Sequence, residues 1–194
     1  IEGIAVAFRS PSLAMLACRL ALLGGIAVLL LAPWLFDSEG LAVLTQFLTL
    51  LVLALMWNLL AGYADIITVG QHAFVGIGAY AFYGFAALAG VNPYAAIPLA
   101  ALVALVAAVP AMAIVFRLRA AYLAVGTWVV AQVFMLLAGK LPGFGFGSGV
   151  SLPIAVAQAF GTDPAGRYTT IYLLALGLAA VTLISTWLLL RSRI

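Results

Sequence analysis

Along most of this chain the apolar residues follow neither the 3.6-residue period of an amphipathic helix nor the alternation of a half-buried strand. They run on almost unbroken, and charged residues interrupt them at only a few places. A helix that is apolar on every side belongs in a membrane or deep in a core. The interruptions delimit apolar segments at about 20–36, 41–63, 74–90, 94–116, 120–139 and 168–190. Each comes near the ~20 residues that a helix needs to cross a ~30 Å hydrocarbon layer. The pattern therefore predicts an all-α, polytopic transmembrane bundle with about six crossings.

Between Leu41 and Gly90 the only formal charge is Asp65. That stretch is too long for one crossing, and its polar residues gather at the middle, in NLLAGYADIITVGQHAFVGIGAY, residues 58–80. Gly62 and Gly70 loosen the helix there, and the β-branched run Ile66, Ile67, Thr68 and Val69 disfavours it. A broken helix or re-entrant joint is expected near residues 64–73, with the break itself at about 64–70. Backbone that leaves helical geometry inside a bilayer must be buried in protein or line a wet cavity. The joint carries no Lys or Arg, as an ordinary cytoplasmic loop would, so it is expected to be folded into the protein. Interrupted helices of this kind are where many transporters place their substrate path. Beyond the break, Gly76, Tyr80 and Gly84 share one helix face with Ala73 and Tyr83 beside them; the plain reading of such small residues is close helix packing.

Composition agrees with the pattern. Of 194 residues 68% are apolar and 7% charged, against roughly 25% charged in soluble domains. A soluble fold could not clothe itself with so few charges, and a net charge of +3 is too sparse for a nucleic-acid surface. The basic residues matter by position. With the N-terminus in the cytoplasm, Arg9, Arg19, Arg117, Arg119, Arg191 and Arg193 lie inside and only Lys140 and Arg167 outside. The long connection from Lys140 to Arg167 then faces outward, and its Val150 to Phe160 stretch is apolar enough for a short interfacial or re-entrant helix. Segment 20–36 ends without a small-residue cleavage site and reads as a transmembrane helix rather than a signal peptide. The single cysteine, Cys18, allows no internal disulfide and is read as a packing residue. The chain is taken as one transmembrane domain, 1–194.

Individual residues leave alternatives open. A carboxylate near the hydrocarbon is a functional candidate by default. Asp65 could pair with Arg117 or Arg119, meet a substrate ammonium, or sit at the interface. His72, the only histidine, has no Cys, Asp or Glu at a metal-like spacing, and is read as a hydrogen-bonded packing residue. Asn58 suits a structural clamp as well as a path lining, and Gln132 is expected to bond to a neighbouring helix or to free backbone. Arg117 and Arg119 bracket a cytoplasmic turn that Tyr122 follows. No phosphate-binding loop is present, since the only lysine, Lys140, precedes a leucine. A serine-protease reading of Ser148 with His72 fails because the topology puts them on opposite sides. No enzyme, metal or cofactor is expected.

Three stretches carry a resemblance. Asn58-Leu59-Leu60-Ala61-Gly62-Tyr63, Thr68-Val69-Gly70-Gln71 and Ala73-Phe74-Val75-Gly76-Ile77-Gly78-Ala79-Tyr80 resemble the signature of the permease subunits of branched-chain amino acid ABC importers. Leu118-Arg119-Ala120-Ala121-Tyr122 is similar to that family's cytoplasmic turn, and Phe146 to Pro153 to its outward Gly- and Ser-rich segment. The resemblance spans about residues 40–194. Asp65 stands where the family usually has glycine, Thr68 where serine is common, Ala120 where glycine is usual, and Gln132 where glutamate is frequent. It implies a multi-pass protein of the bacterial inner membrane that works with a second permease subunit, two cytoplasmic ATPases and a soluble substrate-binding protein. It also implies that the chain stops before the cytoplasmic coupling segment. The path residues expected on this reading are Asn58, Gly62, Tyr63, Asp65, Thr68, Gly70, Gln71, Phe74, Gly76 and Tyr80, with Gly78 and Gly84 as helix-packing positions. A self-sufficient carrier or channel, and a scaffold that transports nothing, are the rival readings.

Overall fold

A computed structural model describes residues 13–115, 117–118, 121–141, 143–145 and 149–192. Arg9, Arg119, Ala120, Ser148 and Arg193, together with the side chains of Cys18 and Arg19, lie outside what is described. The described residues form helices and the loops that join them, with no strand. The helices are α1 (Leu13–Leu35), α2 (Ser38–Asn58), α3 (Gln71–Tyr83), α4 (Pro93–Val115), α5 (Ala121–Ala138), α6 (Ile154–Gln158) and α7 (Pro164–Arg191).

Their starts follow from local chemistry. Asp37 caps α2, its Oδ1 accepting the Gly40 amide at 3.1 Å, and Glu39 in the first turn suits the positive end of the helix. Asn92 does the same for α4, accepting the Tyr94 amide at 3.0 Å, and Pro93 opens that helix where a missing N–H costs nothing. Pro164 opens α7 in the same way.

Two of the helices end alike. α2 runs into a π turn at Leu59–Tyr63 and α3 into one at Gly84–Leu88. Past each π turn one residue takes positive φ, Asp65 at 53° and Gly90 at 66°. The next amide then reaches back to the helix, Ile66 N to Leu60 O and Val91 N to Phe85 O, both at 2.9 Å. This is the logic of a Schellman cap, made one residue wider by the π turn.

Packing divides into two cores. α7 lies along α2, burying Leu41, Leu48, Tyr172 and Ala179 together with Ala32 of α1. The Tyr172 hydroxyl donates to the Leu29 carbonyl at 2.6 Å and ties α7 to α1. α3 lies along α4, with Ala86, Ala96 and Val156 at the centre of the second core; α5 packs on both α3 and α4. Most other large apolar side chains, Trp34, Leu105 and Leu136 among them, remain exposed, as expected where lipid or another subunit is the neighbour.

By length and composition three helices can cross a membrane: Ser38–Tyr63, Pro93–Ala113 and Pro164–Arg191. Gly24–Leu35 and Tyr122–Ala138 are shorter apolar helices. The expected segment at 74–90 is the most altered. α3 has 13 residues, which as α-helix reach only about 20 Å, before the π turn extends it. The joint is also narrower than 64–73, because helix resumes at Gln71. The Gly70 carbonyl accepts the Ala73 amide at 3.1 Å, drawing Gln71 to Ala73 into the first turn of α3. Within Val150 to Phe160 the structure forms the short helix α6.

Candidate functional site

Two hydrogen bonds and one close approach hold the backbone of the break to α2 and α5. From α2, the Trp57 indole N–H donates to the Thr68 carbonyl at 3.0 Å. From α5, the Thr127 hydroxyl accepts the Val69 amide at 3.1 Å and donates to the Ala124 carbonyl at 2.8 Å. Both hydrogen-bonding roles of that hydroxyl are thus used. Gly70, next in the chain, lies so close to α5 that a Cβ there would stand 2.8 Å from the Thr127 carbonyl carbon and closer still to its oxygen. The obstacle is backbone, which cannot swing aside. Gly70 has φ −90°, so space rather than conformation demands glycine.

Asp65 is a different case. Its φ of 53° is a conformation that costs most L-residues about 1–2 kcal/mol and that Asp and Asn tolerate better than others. Gly90 occupies the equivalent position after α3. The same left-handed position is thus filled by aspartate after α2 and by glycine after α3. The side chain is exposed, and among the described residues it forms no ion pair with Arg117 or any other group. Asp65→Gly is expected to leave thermal stability unchanged or raised in detergent, while Asp65→Val lowers it. Equal melting of the two variants would remove the conformational argument.

Two cavities adjoin the break. The first, about 230 Å³, is bounded by Leu60, Ile66, Thr68, Gly70, Gln71 and Phe74 on one side and by Met112 of α4 and Thr127 and Val130 of α5 on the other. Its wall is almost wholly apolar, yet Thr68 Oγ1 and Gln71 Nε2 are buried with no hydrogen-bond partner among the described residues. A buried polar atom left unpaired costs about 1–3 kcal/mol and asks for an explanation. The second cavity, about 260 Å³, lies between α3 and α5 and is lined by His72, Gly76, Tyr80, Gln132, Phe134 and Met135 among others. It is the more polar of the two. His72 Nδ1 stands 3.1 Å from the Val69 carbonyl and donates there, and among the described residues its other nitrogen has no partner.

The expected path residues separate into three groups. Thr68, Gly70, Gln71 and Phe74 line the first cavity, and Gly76 and Tyr80 the second. Asn58, Gly62, Tyr63 and Asp65 line neither and are exposed. The carboxamides of Asn58 and Gln132 form no hydrogen bond among the described residues, contrary to the clamping and cross-helix bonds expected of them. A Cβ on Gly84 would stand 3.4 Å from the Phe144 ring, but one on Gly76 or Gly78 would meet no atom within 4 Å, so among the described residues no helix packs closely there. Arg117 and Tyr122 are exposed. Thr127 was not singled out by sequence, although it is the only serine or threonine in α5.

The family of the branched-chain amino acid transport system, permease component, matches residues 40–194. The chain belongs to that family. No curated protein and no solved structure matches it. The matched region of this permease contains the break, both cavities and every helix from α3 to α7. The family is one of transport permeases, and with its apolar helices the chain is a multi-pass membrane protein.

Proposed function

We propose that this permease forms, together with a second permease subunit, the path by which branched-chain amino acids or related small polar solutes cross the bacterial inner membrane. Two cytoplasmic ATPases drive the path, and a soluble substrate-binding protein feeds it. The chain is a single transmembrane domain with about six crossings and a cytoplasmic N-terminus. The observation that carries the reading is the helix break whose Thr68 and Gln71 leave polar atoms unpaired beside an otherwise apolar cavity. Apolar walls suit an aliphatic side chain. The Thr68 hydroxyl and the Gln71 amide, buried behind that wall, suit the polar end of the same small molecule once their side chains turn toward it, which relieves the cost of leaving them unpaired. A carrier driven by protons or ions would want carboxylates at mid-membrane; here the one candidate, Asp65, is exposed and lines neither cavity.

The test is recovery of the tagged, full-length protein from native membranes in mild detergent, with its companions identified by mass spectrometry. P-loop ATPases and a second permease are expected, and the recovered assembly should take up labelled leucine in vesicles when ATP is supplied. Repeated recovery of the protein alone, from a preparation that retains other ABC assemblies, would overturn the reading.

A further inference from the structure

Both cavities are bounded by α3 and α5, and the first by α4 as well. On α5 the residues facing them, Thr127 and Val130 for the first, Phe134 and Ala138 for the second, recur three and four apart and so share one helix face. On α3 the cavities take different faces, Gln71 and Phe74 for the first and His72, Ala73, Gly76, Ile77 and Tyr80 for the second, so that the contact between α3 and α5 lies between them. At that contact Phe74, on the wall of the first cavity, packs against Phe134, on the wall of the second. The ring centroids are 6.2 Å apart and the planes are inclined at 59°, within the range of a favourable aromatic pair. The walls change character across this junction, from nearly all apolar to one bearing His72, Gln132 and Tyr80.

We propose that the two cavities form one passage interrupted by the Phe74–Phe134 pair, and that these two rings decide which small solutes move between the polar and the apolar chamber. The purpose of the barrier rests on the transport reading above; its existence does not. Neither ring is fixed by a hydrogen bond, so only packing holds the barrier shut. Each ring presents an apolar face to the junction, which admits the aliphatic end of a solute and resists a hydrated charge.

The experiment reads access directly. In the full chain carrying Cys18→Ser, which removes the only native cysteine, a cysteine is placed either at Val130 in the first chamber or at Met135 in the second. Its rate of modification by a trimethylammonium methanethiosulfonate is measured in membranes, from the face at which Met135→Cys reacts faster. Phe134→Ala is expected to raise the rate at Val130→Cys about tenfold and to leave that at Met135→Cys nearly unchanged, with Phe134→Leu in between. Phe74→Ala opens the same contact from α3 and decides the matter if the Phe134 variant fails to insert. An unchanged rate at Val130→Cys, or an equal rise at both positions, would overturn the barrier. Uptake by the parent assembly is measured separately. A parent that never transports, but whose labelling obeys the rings, refutes the transport reading alone; a parent that transports, with labelling indifferent to the rings, refutes the barrier alone.

Discussion

Gly70→Ala is expected to lower uptake by the assembled importer at least tenfold while the chain still inserts. The added methyl group would meet the carbonyl of Thr127, whose carbon lies 2.8 Å from the Cβ position, and a helical carbonyl has nowhere to go. Overfilling of this kind costs about 1–3 kcal/mol even where side chains can yield, and a loss of about 1.4 kcal/mol is already a factor of ten. The strain relaxes only if the break moves off α5. That motion pulls the Val69 amide from Thr127 and displaces Thr68 and Gln71 from the first cavity. Gly70→Ser sharpens the point: serine is a good residue for a helix start, yet its Cβ meets the same wall and should fail similarly. The measurement is initial uptake of labelled leucine in vesicles at matched protein levels. Wild-type rates in either variant would mean that contact with α5 is dispensable and that the path lies elsewhere.

Thr127→Val should have the second-largest effect, by a different route. Valine has nearly the shape of threonine, so packing is preserved and only the hydroxyl is lost. The Val69 amide is then left without its acceptor in a partly buried position, at a cost of about 1–3 kcal/mol. Thr127→Ser keeps the hydroxyl and should behave much like the parent. Hydrogen exchange reads the difference without reference to transport: amides of residues 66–73 should exchange faster in the valine variant and not in the serine variant. Equal protection in both would show that the bond does not hold the break. Because Gly70 and Thr127 act through one contact, the double variant should lose less than the sum of the two single losses.

The helices and the position of the break were legible because membrane segments announce themselves by composition, and because Gly62, Gly70 and the run Ile66 to Val69 disfavour helix for local reasons. What holds the break was not legible. Thr127 acts across 58 residues of chain, and nothing near it in sequence mentions Val69. The conformation of Asp65 was hidden for a related reason: aspartate is also at home in ordinary turns, and only its likeness in position to Gly90 reveals the positive φ. Among the described residues neither a clamping bond of Asn58 nor a cross-helix bond of Gln132 is made, because a polar residue on an apolar helix states a need without saying who meets it. The π turns left no trace either. A helix that is apolar on every side has no phase, so an extra residue shifts nothing that a reader of sequence can see.

Those two turns bear on how the chain can vary in length. A π turn is an α-helix carrying one residue more than its ladder requires. Losing one residue from 59–63 or 84–88 would let that helix close as plain α, with the parts before and after keeping their rotational setting. A deletion anywhere else in α2 or α3 would turn everything beyond it by about 100°. Length is thus negotiable at these two ends, and one of them leads straight into the break.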